Sequence, residues 1–278
     1  MRRVDSRDDF LFTAAVTIAS RALILRDALL RRLRQTSLDR RPGVRIARQT
    51  IESGSRRLDA VFVAPASRPA RAAVLLCHGI GETVRHWLAV QALLADRGVA
   101  SLVFDYAGFG TSTGRTRWKR CEEDAVDAFH ALQALVPDTP VSLLGFSLGS
   151  GVAAAILDRV SPNRLILCSA FTSFRAAARC AGLPKALSSL VPPIWNTEES
   201  LGSCRVPLLV LHCEKDRLFP VRMAAALAAQ CIQPAELVVV ANHRHNDPFY
   251  RPSRRYWDHV VSFLVSDNPS QSPGVKSL

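Results

Sequence analysis

Ser147 stands at the centre of Gly145-Phe146-Ser147-Leu148-Gly149, and a serine with glycine two positions away on each side is spaced for nucleophilic chemistry. On a sharp strand-to-helix turn the serine backbone is strained, and side chains two residues to either side collide unless they are very small. Gly145 and Gly149 meet that demand. The same turn sets the hydroxyl at a helix N-terminus, where unpaired N–H groups favour developing negative charge. A serine hydroxyl is barely ionised at neutral pH, so it also needs an imidazole to take its proton and a carboxylate to orient that imidazole. Candidates for both follow in the chain: Glu214 and Asp216 in Glu214-Lys215-Asp216, then His243 and His245 in His243-Arg244-His245-Asn246-Asp247.

These residues need elements to carry them. Beyond Pro42, short apolar runs at 73–77, 99–104, 141–144, 165–168, 208–211 and 237–240 read as buried strands. Helix-like segments at 87–96, 122–135, 152–160 and 222–230 lie between most of them, and 254–265 follows the last. An opening hairpin is expected from runs 44–51 and 58–63 around Ser53-Gly54-Ser55. Alternating strands and helices predict an α/β fold: a mainly parallel sheet covered on both faces, with functional residues at the carboxyl ends of strands. His78-Gly79-Ile80-Gly81, Asp105-Tyr106-Ala107-Gly108-Phe109-Gly110-Thr111-Ser112, the serine turn, and the acid and histidine clusters all fall at such ends.

With these motifs in order, residues 44–266 resemble the α/β-hydrolase superfamily of serine hydrolases, the esterase, thioesterase and serine aminopeptidase-like group. The resemblance implies a nucleophile, acid and base at Ser147, Asp216 and His245. Backbone N–H groups of Ile80 and Leu148 would form the oxyanion hole, with Gly79 and Gly81 letting the first loop approach closely. His78 is expected to be a hydrogen-bonding support beneath that loop. Asp105 is expected either to organise the loops or to meet substrate. His243 and Glu214 remain alternatives to His245 and Asp216.

The 278 residues are 48% hydrophobic, enough to bury a full core. The domain is expected over 42–267, with a small helical cap at 171–203, an N-terminal helical extension at 1–41 and a flexible tail at 268–278. In the cap, Phe174, Leu183, Leu187, Leu190, Val191, Ile194 and Trp195 would suit an apolar acyl group. The net charge of +12 comes from 36 basic against 24 acidic residues. The arginines are scattered and no nucleic-acid motif accompanies them, so no nucleic-acid partner is expected. Seven cysteines, at 77, 121, 168, 180, 204, 213 and 231, show neither a disulfide framework nor a metal-ligand spacing. A reducing cytoplasm, no cofactor and no metal are expected. The apolar stretch 10–25 is interrupted by Arg21 and followed by basic residues, which predicts a helix packing on the domain or a second copy, with peripheral contact to the inner face of a membrane as the alternative. The expected reaction is hydrolysis of a carboxylic ester or thioester of a small acyl substrate through an acyl-enzyme. Peptide or amide cleavage, acyl transfer and non-catalytic binding are the competing readings.

Overall fold

A computed structural model describes residues 12–13, 42–233, 235–250, 252–266 and 274–277. Of the expected N-terminal extension, only Phe12 and Thr13 fall within it. The described strands are β1 (Val44–Ser53), β2 (Arg56–Pro65), β3 (Ala72–Cys77), β4 (Val99–Phe104), β5 (Val141–Phe146), β6 (Leu165–Cys168), β7 (Leu208–Cys213), β8 (Glu236–Val240) and β9 (Gly274–Ser277). They form one sheet in the order β1-β2-β4-β3-β5-β6-β7-β8-β9. The hairpin β1–β2 turns at Gly54-Ser55, and β2 runs antiparallel to β4. Every other pairing is parallel.

Between the strands run α1 (Val84–Asp96), α2 (Trp118–Leu135), α3 (Leu148–Ala155), α4 (Phe174–Cys180), a 3₁₀ turn (Lys185–Leu190), α5 (Thr197–Leu201), α6 (Val221–Gln230), α7 (Asp247–Tyr250) and α8 (Arg254–Val265). The two-residue period of a strand divides the core between the two faces of the sheet. In β3, Ala73, Leu75 and Cys77 join Phe129 and Leu132 of α2, Val152 of α3 and Leu227 of α6. Ala72, Val74 and Leu76 join Trp87 and Leu94 of α1 and Trp257 and Val260 of α8 on the other face. All six residues of β3 are buried, as a strand covered on both sides requires.

Three elements differ from expectation. Helix α3 begins at Leu148, directly after the serine, where Gly149 and Gly151 mask the helix signal; it ends at Ala155, and turns carry the chain to Val160. The tail is not wholly irregular: Gly274–Ser277 pairs in parallel with β8, whose edge would otherwise leave its ladder groups open. In the cap segment, Ile194 and Trp195 are buried, whereas Leu187 and Leu190 are 45% and 51% exposed. The 3₁₀ turn carrying those leucines buries no residue, so they belong to the surface and not to an acyl pocket. No helix among the described residues is long and apolar enough to cross a membrane.

Candidate active site

Strand β5 delivers Ser147 into a left-handed backbone, φ 51° and ψ −116°, a conformation costing about 1–3 kcal/mol that the surroundings must hold. Two close approaches hold it. A Cβ at Gly145 would lie 2.5 Å from the Gly149 carbonyl oxygen, and one at Gly149 would lie 2.0 Å from that of Cys77. The Ser147 N–H donates to the Cys168 carbonyl at 3.0 Å, tying the turn to β6. Ser150 anchors the other side, its hydroxyl donating to the Ser147 carbonyl at 2.6 Å.

The loop after β7 shapes the acid. The Asp216 carboxylate is fully buried. Its Oδ1 accepts the N–H groups of Leu218 and Phe219 at 2.8 and 2.9 Å, and its Oδ2 lies 2.6 Å from His245 Nδ1. Burial pushes this carboxyl upward, but His245 and the two backbone donors outweigh it and leave the pKa below the ordinary aspartate value. On the far side of the imidazole, His245 Nε2 lies 3.0 Å from Ser147 Oγ. Phe146 and Phe219 flank the ring at centroid distances of 5.2 and 5.3 Å. Ser147, Asp216 and His245 thus meet from three different strand ends. With Nδ1–H donated to a carboxylate, Nε2 is left as the acceptor for a hydroxyl proton. Such a chain of groups can raise the nucleophilicity of a serine without ionising it beforehand.

The alternatives lie elsewhere. His243 turns its Nδ1 to the Ala241 carbonyl at 2.8 Å. Glu214 is exposed and accepts the Asn242 N–H at 2.9 Å, while the Lys215 N–H donates to the His243 carbonyl at 2.9 Å. These bonds stitch the β7 and β8 loops together and so bring His245 to Asp216.

The loop after β3 runs beside the serine turn. A Cβ at Gly79 would sit 3.1 Å from the Phe146 ring and 3.3 Å from Ser147 Cβ, and Gly81 has φ +75°. The Gly79 N–H is already committed to Glu82 Oε2 at 2.9 Å, which also accepts the Trp87 indole N–H at 3.1 Å. Ile80, one residue on, is half-buried. Leu148 occupies the first turn of α3, where N–H groups have no intrahelical acceptor. His78 is fully buried under this loop, its Nδ1 2.8 Å from the Gly79 carbonyl and its Nε2 3.5 Å from Asp105 Oδ1. Burial lowers its pKa, yet Asp105 and the carbonyl raise it more, and the net shift is upward. Asp105 in turn accepts the Val84 N–H at 2.8 Å and fixes the start of α1.

Three supporting groups have no motif of their own. Glu82 braces the loop at Gly79. His212, buried at the end of β7, donates Nε2–H to the Phe219 carbonyl at 2.9 Å and sits 3.6 Å from Asp216 Oδ2. Burial outweighs the raising effects of the Phe219 carbonyl and Asp216 and lowers its pKa. Its polar side chain within an apolar strand was the one available signal. Glu122 of α2 accepts the Trp195 indole N–H at 2.9 Å, joining the cap to the body, and nothing local in the sequence marks that pair.

Comparison with known proteins adds a separate line. A family model described as serine aminopeptidase, S33, matches residues 68–200. An uncharacterized protein of Mycobacterium tuberculosis is 32% identical over 199 residues, covering 69% of this chain and 69% of that protein. A lysophosphatidylserine lipase of Macaca fascicularis is 29% identical over 61% of this chain and 48% of its own length. Among solved structures, an esterase of Pyrococcus furiosus superposes with a TM-score of 0.65 at 20% identity, covering 79% of this chain and 91% of that one. The esterase domain of a Rhodothermus marinus protein gives 0.61 at 21% identity, over 80% and 96%.

Proposed function

The chain belongs to the α/β-hydrolase superfamily of serine hydrolases, and from that premise we propose that it cleaves a carboxylic ester or thioester of a small acyl substrate through an acyl-enzyme. The observation carrying this reading is the continuous contact from Ser147 Oγ to His245 Nε2 at 3.0 Å and from His245 Nδ1 to Asp216 Oδ2 at 2.6 Å.

Ser147 Oγ attacks the carbonyl carbon as its proton passes to His245 Nε2. Asp216 keeps its charge throughout, fixing the tautomer and then stabilising the imidazolium. The N–H groups of Ile80 and Leu148 take the charge that develops on the carbonyl oxygen. Collapse of the tetrahedral adduct expels the alcohol or thiol, which recovers the proton from Nε2 and leaves the acyl group on Ser147. Water then repeats the sequence, giving its proton to His245 and releasing the acid with the serine restored. His78, Gly79 and Gly81 shape the loop that presents Ile80, and Gly145 and Gly149 permit the turn at Ser147. The step requires no cofactor. The serine aminopeptidase description of the matching family model supports amide cleavage as a second reading.

A fluorophosphonate probe is expected to label Ser147, and Ser147→Ala to abolish labelling and lower ester turnover about 10⁴-fold with an unchanged thermal melt. Turnover unaffected by the substitution would remove the mechanism. A panel of esters, thioesters and amides graded in acyl length separates the two substrate readings.

A further inference from the structure

Among the described residues, Leu187 and Leu190 are large apolar side chains left about half exposed, and they lie three positions apart on the turn Lys185–Leu190. Residues three apart eclipse one another in a 3₁₀ helix, so the two leucines form one ridge. Pro184 and Ala186 beside them are exposed as well. The ridge lies in the insertion that follows β6, and β6 is the strand whose Cys168 carbonyl holds the Ser147 N–H.

The charged residues nearest this ridge along the chain are basic. The cap, residues 171–203, contains Arg175, Arg179 and Lys185 on the ridge side, and its acids, Glu198 and Glu199, lie in α5, bonded to Gln230 and Asn196. Arg179 and Lys185 are exposed and form no ion pair among the described residues. At the same end of the sheet, the loops after β4, β7 and β8 carry exposed Arg115, Arg217 and Arg244, and the first turn of α1 carries exposed Arg85; the exposed acid of the β7 loop, Glu214, accepts the Asn242 N–H.

We infer that this end of the molecule docks on an anionic lipid surface, with Leu187 and Leu190 entering the headgroup and acyl boundary and the basic side chains meeting lipid phosphates and carboxylates. Apolar side chains among cations are the combination such an interface binds, burial and charge attraction acting together. A polyanion such as nucleic acid would satisfy the cations and leave the leucines in water. A symmetric pairing of two caps would cover the leucines but face each basic cap with its copy. The inference rests on the proposed function only in placing a lipid ester near Ser147; the docking itself requires no turnover.

The test uses the full-length Ser147→Ala chain, so that no lipid is consumed, sedimented with vesicles of phosphatidylcholine alone or mixed with phosphatidylserine. Binding is expected to the mixed vesicles and to weaken with salt. Leu187→Ser with Leu190→Ser, and separately Arg179→Ser with Lys185→Ser, are each expected to weaken it about tenfold. The same pairs made with Ser147 intact are expected to retain the parental thermal melt and turnover of a short soluble ester. Failure of the parent to bind overturns the inference. So does undiminished binding by the cap variants, or a cap-dependent dimer that ignores vesicles. A chain that binds as expected yet neither hydrolyses esters nor reacts with fluorophosphonate keeps the docking surface and loses the proposed function.

Discussion

His243 and His245 leave β8 two residues apart and reach different surroundings. The first spends its Nδ1 on a neighbouring carbonyl, whereas the second lies between a hydroxyl and a buried carboxylate. His243→Ala is therefore expected to keep ester turnover within about twofold, and His245→Ala to lose about 10³-fold or more, in steady-state assays of the two purified variants. The reverse pattern would transfer the base to His243. Much of this site was legible at the level of residue type, because the serine turn demands glycines and the acid and histidine clusters fall after apolar runs. The choice within each cluster came from the family resemblance and not from residue type. It depends on the loops being stitched by Glu214, Lys215 and Asn242 across 28 positions of sequence, a relation with no local period.

At the scale of elements, the turn between β5 and α3 works only because β3 passes so close. Gly149→Ala would drive a methyl group into the Cys77 carbonyl, a backbone atom that cannot step aside. The expected result is a loss of more than about 3 kcal/mol in denaturant melts, with loss of fluorophosphonate labelling; a melt like that of the parent would contradict the packing. The latch between α2 and the cap has a different signature. Burial raises the Glu122 carboxyl from 4.5 to about 7, against the lowering effects of Trp195 and Arg159. In that window the folded chain retains a proton that the unfolded chain has released, so stability falls as pH rises. Urea melts from pH 4.5 to 7 are expected to show this slope in the parent, worth up to about 3 kcal/mol, and a flatter profile in Glu122→Gln. Equal slopes would place the ionisation elsewhere. Strands were the most legible elements, since those buried on both faces are short continuous apolar runs. Helix α3 and strand β9 were less so: glycines that the turn needs are poor helix formers, and β9 takes its conformation from the open edge of β8.

Across the whole molecule, the parallel sheet gathers the chemistry at one end by directing the loops after β3, β5, β7 and β8 to one side. The net charge of +12 could be counted in the sequence, but its distribution could not, because which arginine-bearing loops share one end of the sheet depends on the strand order. The cap shows the same limit: its leucines were readable as apolar, and their exposure follows from a turn that packs on nothing. Phe12 carries a further consequence. It is fully buried against Phe174 and Trp195, with ring centroids 5.6 and 5.1 Å away. During synthesis this phenylalanine leaves the ribosome long before either partner has been made. The junction of Phe12 with Phe174 and Trp195 must therefore wait until translation has passed Trp195, so it joins the assembly late although one of its members is made early.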